Sequence, residues 1–141
     1  MSDYTIEDIQ NAIIEEFTLF DEWMDKYEYL IELGRNMEPY DPKFKTNDCL
    51  IDGCQSRVWV YGIKDGDKII YHADSDAIIT KGIISLLIRV FSRQKPSDIL
   101  STDLFFIEKI GLKENLSPTR SNGLLSMIKR MKDLALQLNS L

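Results

Sequence analysis

The sequence has 141 residues, 44% hydrophobic and 28% charged, with only seven Gly and four Pro. These are the proportions of a globular domain, not of a collagen-like or low-complexity chain. Seventeen Lys and Arg against 23 Asp and Glu leave a net charge of −6 with no basic run, which argues against nucleic acid and anionic membrane as partners. Two Cys and one His exclude a disulfide framework and a zinc site built only from Cys and His, which usually takes four ligands.

Residues 5–20 carry Ile6, Ile9, Ile13, Phe17 and Phe20 at spacings of three and four, a helical stripe with Thr5 and Asp8 placed to cap its start. Trp23, Tyr27, Leu30 and Ile31 predict a second helix, and Gly34 is suited to end it in the left-handed conformation. Trp23 and the methionines read as core. Pro39 and Pro42 then break the pattern. Two β-prone runs, Arg57 to Ile63 and Lys68 to His72, flank Asp65-Gly66 and predict a hairpin. Residues 44–51 predict a third, weaker strand.

Asp74, Ser75 and Asp76 offer caps for an apolar helix starting near Ala77. That helix is apolar around most of its circumference and therefore central, and Gly82 within it implies close backbone approach by a neighbour. Short helical pieces follow over residues 96–100 and 104–110, the second closed by Gly111. Ser117-Pro118 reads as N-cap plus first helical residue of a helix running to about Asn139. Strands in the middle with helices on both sides predict one α+β domain over residues 1–141 with a small antiparallel sheet.

The first eight residues have neither a basic region nor an apolar core of a signal peptide. The most apolar stretch, residues 77–91, is interrupted by Lys81 and Arg89 and is shorter than the ~20 residues that span a bilayer. With two cysteines and no export signal, the expected location is the reducing cytoplasm.

Cys54 is the residue with the most chemistry on offer. It stands in Asp52-Gly53-Cys54-Gln55-Ser56, on a turn before the best strand. A thiol there can undergo sulfur exchange, given access and a thiolate, or can serve as a small buried hydrophobe. Both readings stand on the sequence alone. Asp48 and Asp52 would oppose a thiolate and Arg57 would favour one. Cys49 precedes it at C-x4-C, which is not a redox spacing. Two further constellations are a metal or cluster scaffold using Cys49, Cys54, His72 and an Asp such as Asp52, and a hydrolase with Cys54 as nucleophile, His72 as base and Asp74 or Asp76 as orienter. Capping by itself accounts for Asp74, Ser75 and Asp76. Arg120 and Gly123 in the last helix are less readily explained.

Gly53-Cys54-Gln55-Ser56 with Val58-Trp59, then Ala73-Asp74-Ser75-Asp76-Ala77 with Lys81-Gly82, then Leu116-Ser117-Pro118-Thr119-Arg120-Ser121-Asn122-Gly123-Leu124, together resemble the SufE family. The resemblance runs from the N-terminal helices to the last one and departs at Asn36-Met37-Glu38-Pro39, where the family tends to have Leu-Pro. It implies an IscU-like α+β fold and a small cytoplasmic sulfur acceptor that is not itself an enzyme. It implies as partner a SufS-type cysteine desulfurase, whose pyridoxal phosphate belongs to that partner, so that this chain binds no cofactor or metal. The family's acceptor matches Cys54, supported by Gly53, Gln55 and Ser56. Asp74, Ser75 and Asp76 match a segment near the cysteine loop, and Arg120 a partner-facing basic residue. The sulfur would pass to a SufBCD-type cluster scaffold, with the acceptor a monomer or weak dimer that stimulates the desulfurase. Cys49 and His72 inherit no role.

Overall fold

A computed structural model describes residues 4–140. Helix α1, Ile6–Phe17, opens on a reciprocal capping box in which Thr5 Oγ1 accepts from the Asp8 amide and the Asp8 carboxylate accepts from the Thr5 amide. Its stripe buries Ile6, Ile13 and Phe17, with Gln10 among them. The buried Gln10 amide is satisfied across the fold, donating to the Asp103 carbonyl and accepting from the Phe106 amide.

Helix α2, Trp23–Arg35, runs one residue past Gly34 and is capped by Asn36 at φ −91°. The predicted left-handed end at Gly34 is thus not what the glycine does. Gly34 is buried inside the helix, and a Cβ there would lie 2.8 Å from the Gly82 amide nitrogen. Gly82 belongs to helix α3, Ile78–Phe91, where a Cβ would lie 2.2 Å from the Leu30 carbonyl oxygen. The two helices cross glycine to glycine, which is the close approach expected for Gly82. Helix α3 buries Ile83, Ile84, Leu86, Leu87, Val90 and Phe91 and is the centre of the core.

Between α2 and α3 lies the hairpin of β1, Val58–Asp65, and β2, Lys68–Ser75, paired antiparallel with Asp65 opposite Lys68. Gly66 takes φ +63° in the turn, as the Asp-Gly signal requires. Val58, Val60, Ile69, Tyr71 and Ala73 face the core, and Tyr71 donates to the Met131 carbonyl at 2.6 Å.

The third strand expected over residues 44–51 does not form. Asp41 caps a short 3-10 turn at Pro42–Phe44, a second turn follows at Asn47–Cys49, and only Leu50 makes a bridge, to Trp59. Pro42 lacks an N–H to offer a ladder, and the Asp41 carboxylate accepts from Lys43 instead. The segment still covers the outer face of the sheet, with the Phe44 ring stacked 4.0 Å from Tyr61.

Helices α4, Pro96–Ser101, and α5, Phe105–Lys109, are short, and Gly111 at φ +72° follows the second. Helix α6, Pro118–Asn139, starts with Ser117 Oγ accepting from the Arg120 amide and buries Leu124, Met127, Met131 and Ala135. Of the residues read as core, Trp23 is only half-buried and Met24 is exposed, because that side of α2 faces solvent; Met1 lies outside the described residues. No helix among the described residues is long and apolar enough to cross a membrane.

Candidate functional site: a sheltered thiol between a loop and two helices

The turn that carries Cys54 is held at both ends by residues distant in sequence. Before it, Arg130 of α6 donates to the Asp48 carbonyl, and the Ile51 amide donates to the Val58 carbonyl at 2.8 Å. After it, the Arg57 amide donates to the Asp76 carboxylate at 3.0 Å, Ser75 Oγ donates to the Arg57 carbonyl at 2.9 Å, and the Asp76 amide donates to that same carbonyl at 3.2 Å. Gly53 takes φ +91°, a conformation in which a side chain is strained, and a Cβ on it would lie 2.4 Å from Ser126 Oγ of α6.

This geometry corrects the expected capping role of the acidic segment. Asp74 and Ser75 end β2, and α3 begins after Ala77 with no side-chain cap; only Ser75 Oγ reaches back, accepting from the Ala77 amide. Ser75 and Asp76 instead fasten Arg57, three residues beyond the cysteine. Asp74 bridges two cations, Lys45 at 3.0 Å and Lys81 at 3.2 Å. Burial pushes its carboxyl up, but the hydrogen bonds from Lys45, the Ser75 amide and Lys81 outweigh burial and hold it below the usual carboxylate range.

The half-buried Cys54 side chain points at helix α6, and its S–H donates to the Gly123 carbonyl with the sulfur 3.6 Å from the oxygen. A cavity of about 300 Å³ opens beside it. Cys54, Gln55 and Ser56 form one wall, and Thr80 and Ile83 of α3 form another. The start of α6 closes it with Ser117, Thr119 and Arg120 at the rim and Gly123 and Met127 deeper. Burial raises the thiol's pKa, so the free protein holds it protonated. The environment is decided by desolvation and not by the flanking charges that the sequence offered.

The structure therefore brings Cys54, Gln55, Ser56 and Arg120 to one cavity. It places Asp76 and Ser75 behind the loop as its fastening, and Asp74 in a separate ion-pair cluster. Thr80, Ile83 and Met127 join the lining without a sequence signal for it, since Ile83 and Met127 carry only a core pattern and Thr80 none, while Thr119 stands in the motif of residues 116–124 with no role of its own.

The other sequence candidates separate. His72 stacks on Tyr61 with ring centroids 5.0 Å apart and lines a separate, larger cleft between α1, β2 and the end of α3, whose lining contains neither cysteine. It is not in the cavity of Cys54, so the hydrolase constellation is not assembled. Cys49 lies by Tyr40, whose hydroxyl is pushed above the ordinary tyrosine range by burial first and Cys49 second. Among the described residues no three His, Cys, Asp or Glu side chains are gathered to hold a metal ion, so the mixed scaffold set is not brought together.

A sheltered thiol on a loop beside a helix leaves the family open until the whole chain is compared with known proteins. The family model named SufE, described as an Fe-S metabolism associated domain, matches residues 11–135. The chain belongs to the SufE family. It is 39% identical over 130 residues to an uncharacterized SufE-like protein of Rhizobium meliloti (strain 1021), covering 89% of this chain and 93% of that one. It is 37% identical over 124 residues to the cysteine desulfuration protein SufE of Wigglesworthia glossinidia brevipalpis, covering 86% of each. SufE-like protein 1, chloroplastic/mitochondrial, of Arabidopsis thaliana is 40% identical over 127 residues, which are 89% of this chain but 34% of that protein. This SufE chain thus spans about a third of the plant protein. The solution structure of a hypothetical protein from Thermus thermophilus shares the fold, with TM-score 0.75 at 20% identity over 92% of this chain and 94% of that one.

Proposed function

We propose that this SufE chain accepts sulfur on Cys54 from a SufS-type cysteine desulfurase, stimulates that enzyme by clearing its persulfide, and passes the sulfur to a SufBCD-type cluster scaffold. The observation that carries the reading is the Cys54 thiol half-buried at the mouth of a cavity whose far wall is helix α6. A loop thiol of this kind serves transfer when the loop swings out and storage when it swings back.

In the transfer the Cys54 thiolate attacks the outer sulfur of the desulfurase persulfide. The new bond forms at Sγ, the bond within the desulfurase persulfide breaks, and its electron pair leaves with the desulfurase cysteine, which takes up a proton. Nothing is oxidised or reduced overall. Because burial disfavours the thiolate in the seated loop, the attack calls for the loop to leave its seat on the partner. Gly53 supplies the backbone freedom, Gln55 and Ser56 the loop's wall of the cavity, and Ser75 and Asp76 the fixed point about which the loop moves. Arg120 at the exposed rim is placed to meet the partner's carboxylates, and Asp74 orders the neighbouring strand end through Lys45 and Lys81.

On this reading the chain is not an enzyme. The turnover chemistry and its pyridoxal phosphate lie in the desulfurase. The chain acts as one acceptor domain over residues 1–141, a monomer or weak dimer in the cytoplasm, holding no cofactor or metal of its own. Anaerobic incubation with a SufS-type desulfurase and cysteine should add one sulfur, ~32 Da, to a single thiol. Cys49→Ser should retain that mass. Its appearance on Cys54→Ser would overturn the assignment.

A further inference from the structure

Helix α6 carries a buried glycine in its second turn, Gly123, where alanine would favour the helix more. The other buried helical glycines are demanded by packing: a Cβ on Gly82 or Gly34 would run into backbone at 2.2 or 2.8 Å. Gly123 is different. A Cβ there would meet Cys54 Sγ at 3.5 Å and Cys54 Cβ at 4.0 Å, ordinary contact distances. An alanine therefore fits beside the empty thiol, and packing of the unloaded form does not explain the glycine.

A loaded cysteine is another matter. The outer sulfur of a persulfide stands about 2.05 Å from Sγ. It cannot take the direction of the S–H, since the Gly123 oxygen lies 3.6 Å from Sγ along it and the two atoms would overlap. A persulfide anion also has no proton to donate there. The outer sulfur must turn off the carbonyl, and on the helix-facing part of its arc it passes through the space that a residue-123 methyl would fill.

We infer that Gly123 is a specificity-determining residue for the carried sulfur: its carbonyl holds only the unloaded thiol, and its missing side chain leaves the room that the outer sulfur occupies when the loop closes over it. This rests on Cys54 as the acceptor.

The test uses the full chain as native protein and as Gly123→Ala, each loaded both by a desulfurase with cysteine and by inorganic polysulfide. In the polysulfide route the Cys54 thiolate attacks a sulfane sulfur and the electron pair leaves with the shortened polysulfide. After removal of the donor, the ~32 Da adduct is followed by mass spectrometry under a small dithiol, whose thiolate removes the outer sulfur and returns the Cys54 thiolate. The expected result is that Gly123→Ala melts no lower than native and its empty thiol is alkylated within about two-fold of the native rate, the seat being undisturbed. Its persulfide should be lost at least about ten-fold faster, because the loaded thiol no longer fits the seat and stays exposed to attack. An adduct lost at the native rate overturns the inference. So does a matching rise in alkylation of the empty thiol, which would mean a merely displaced loop. Native protein that loads from polysulfide and not from the desulfurase sinks the acceptor reading while leaving the comparison at residue 123 to be decided on its own, and failure to load by either route overturns both.

Discussion

Cys54 Sγ lies 3.6 Å from the Gly123 carbonyl oxygen, joining a loop thiol to a helix 69 residues away in sequence. The contact makes the thiol a donor, and a donor must be protonated. Its geometry and its burial thus point the same way, toward a thiol that is unreactive while the loop is seated.

The pH dependence of alkylation follows from that. An unfolded cysteine titrates near ~8.5. Burial raises the Cys54 pKa in the fold, so the native alkylation rate should still climb above the pH at which a urea-unfolded control levels off. By linkage, the contribution of the buried thiol to stability is fully present below the unfolded pKa and is lost as pH rises through the folded one. Cys49→Ser isolates the signal in an iodoacetamide rate profile. A native inflection at or below the control's would contradict the seated, protonated thiol.

Asp76→Ala removes the carboxylate that accepts from the Arg57 amide, while Ser75 Oγ and the residue-76 amide still hold the Arg57 carbonyl. The loop should loosen without detaching. Alkylation of Cys54 at neutral pH should rise roughly two- to ten-fold, the effect expected from the loss of one exposed hydrogen bond. Ser75→Ala together with Asp76→Ala should raise it further. An unchanged rate in the double variant would mean that this fastening does not govern access to the thiol.

Gly82→Ala tests the helix crossing. Its Cβ would stand 2.2 Å from the Leu30 carbonyl oxygen, which helix backbone cannot vacate cheaply. Overpacking of about 3 kcal/mol, offset by about 1 kcal/mol of helix propensity, predicts a net loss of about 2 kcal/mol. For a chain of this length that is a fall in Tm of roughly 8 °C. A Tm at or above native would show that the α2–α3 crossing adjusts freely.

The elements legible from sequence are those whose hydrogen bonds close within a few residues. Thr5 and Asp8 cap each other, Gly66 turns the hairpin, and Ser117 with Pro118 starts α6, each as read. The misreadings share one cause. Gly34 has the composition of a helix end, yet it is spent on the crossing with Gly82. Asp74, Ser75 and Asp76 have the composition of a cap, yet partners from other segments, Lys45, Lys81 and Arg57, claim them first. The β-like texture near Phe44 reflects a ring that stacks on Tyr61 from outside the ladder.

By itself the sequence determined that Cys54, on its Gly53 turn before a strand, is the thiol to examine, and that two Cys and one His exclude a disulfide framework and a Cys/His zinc site. Whether that thiol was a carrier or a buried hydrophobe stood open, because burial and access are properties of surfaces that meet only in the fold. The tertiary structure decided the burial and the hydrogen-bond partner of that thiol. Helix α6 supplies a carbonyl for the thiol and α3 supplies a wall, so Cys54 is sheltered and held protonated on a loop fastened at Arg57. No spacing within one segment encodes that arrangement, since its parts come from three segments far apart in the chain.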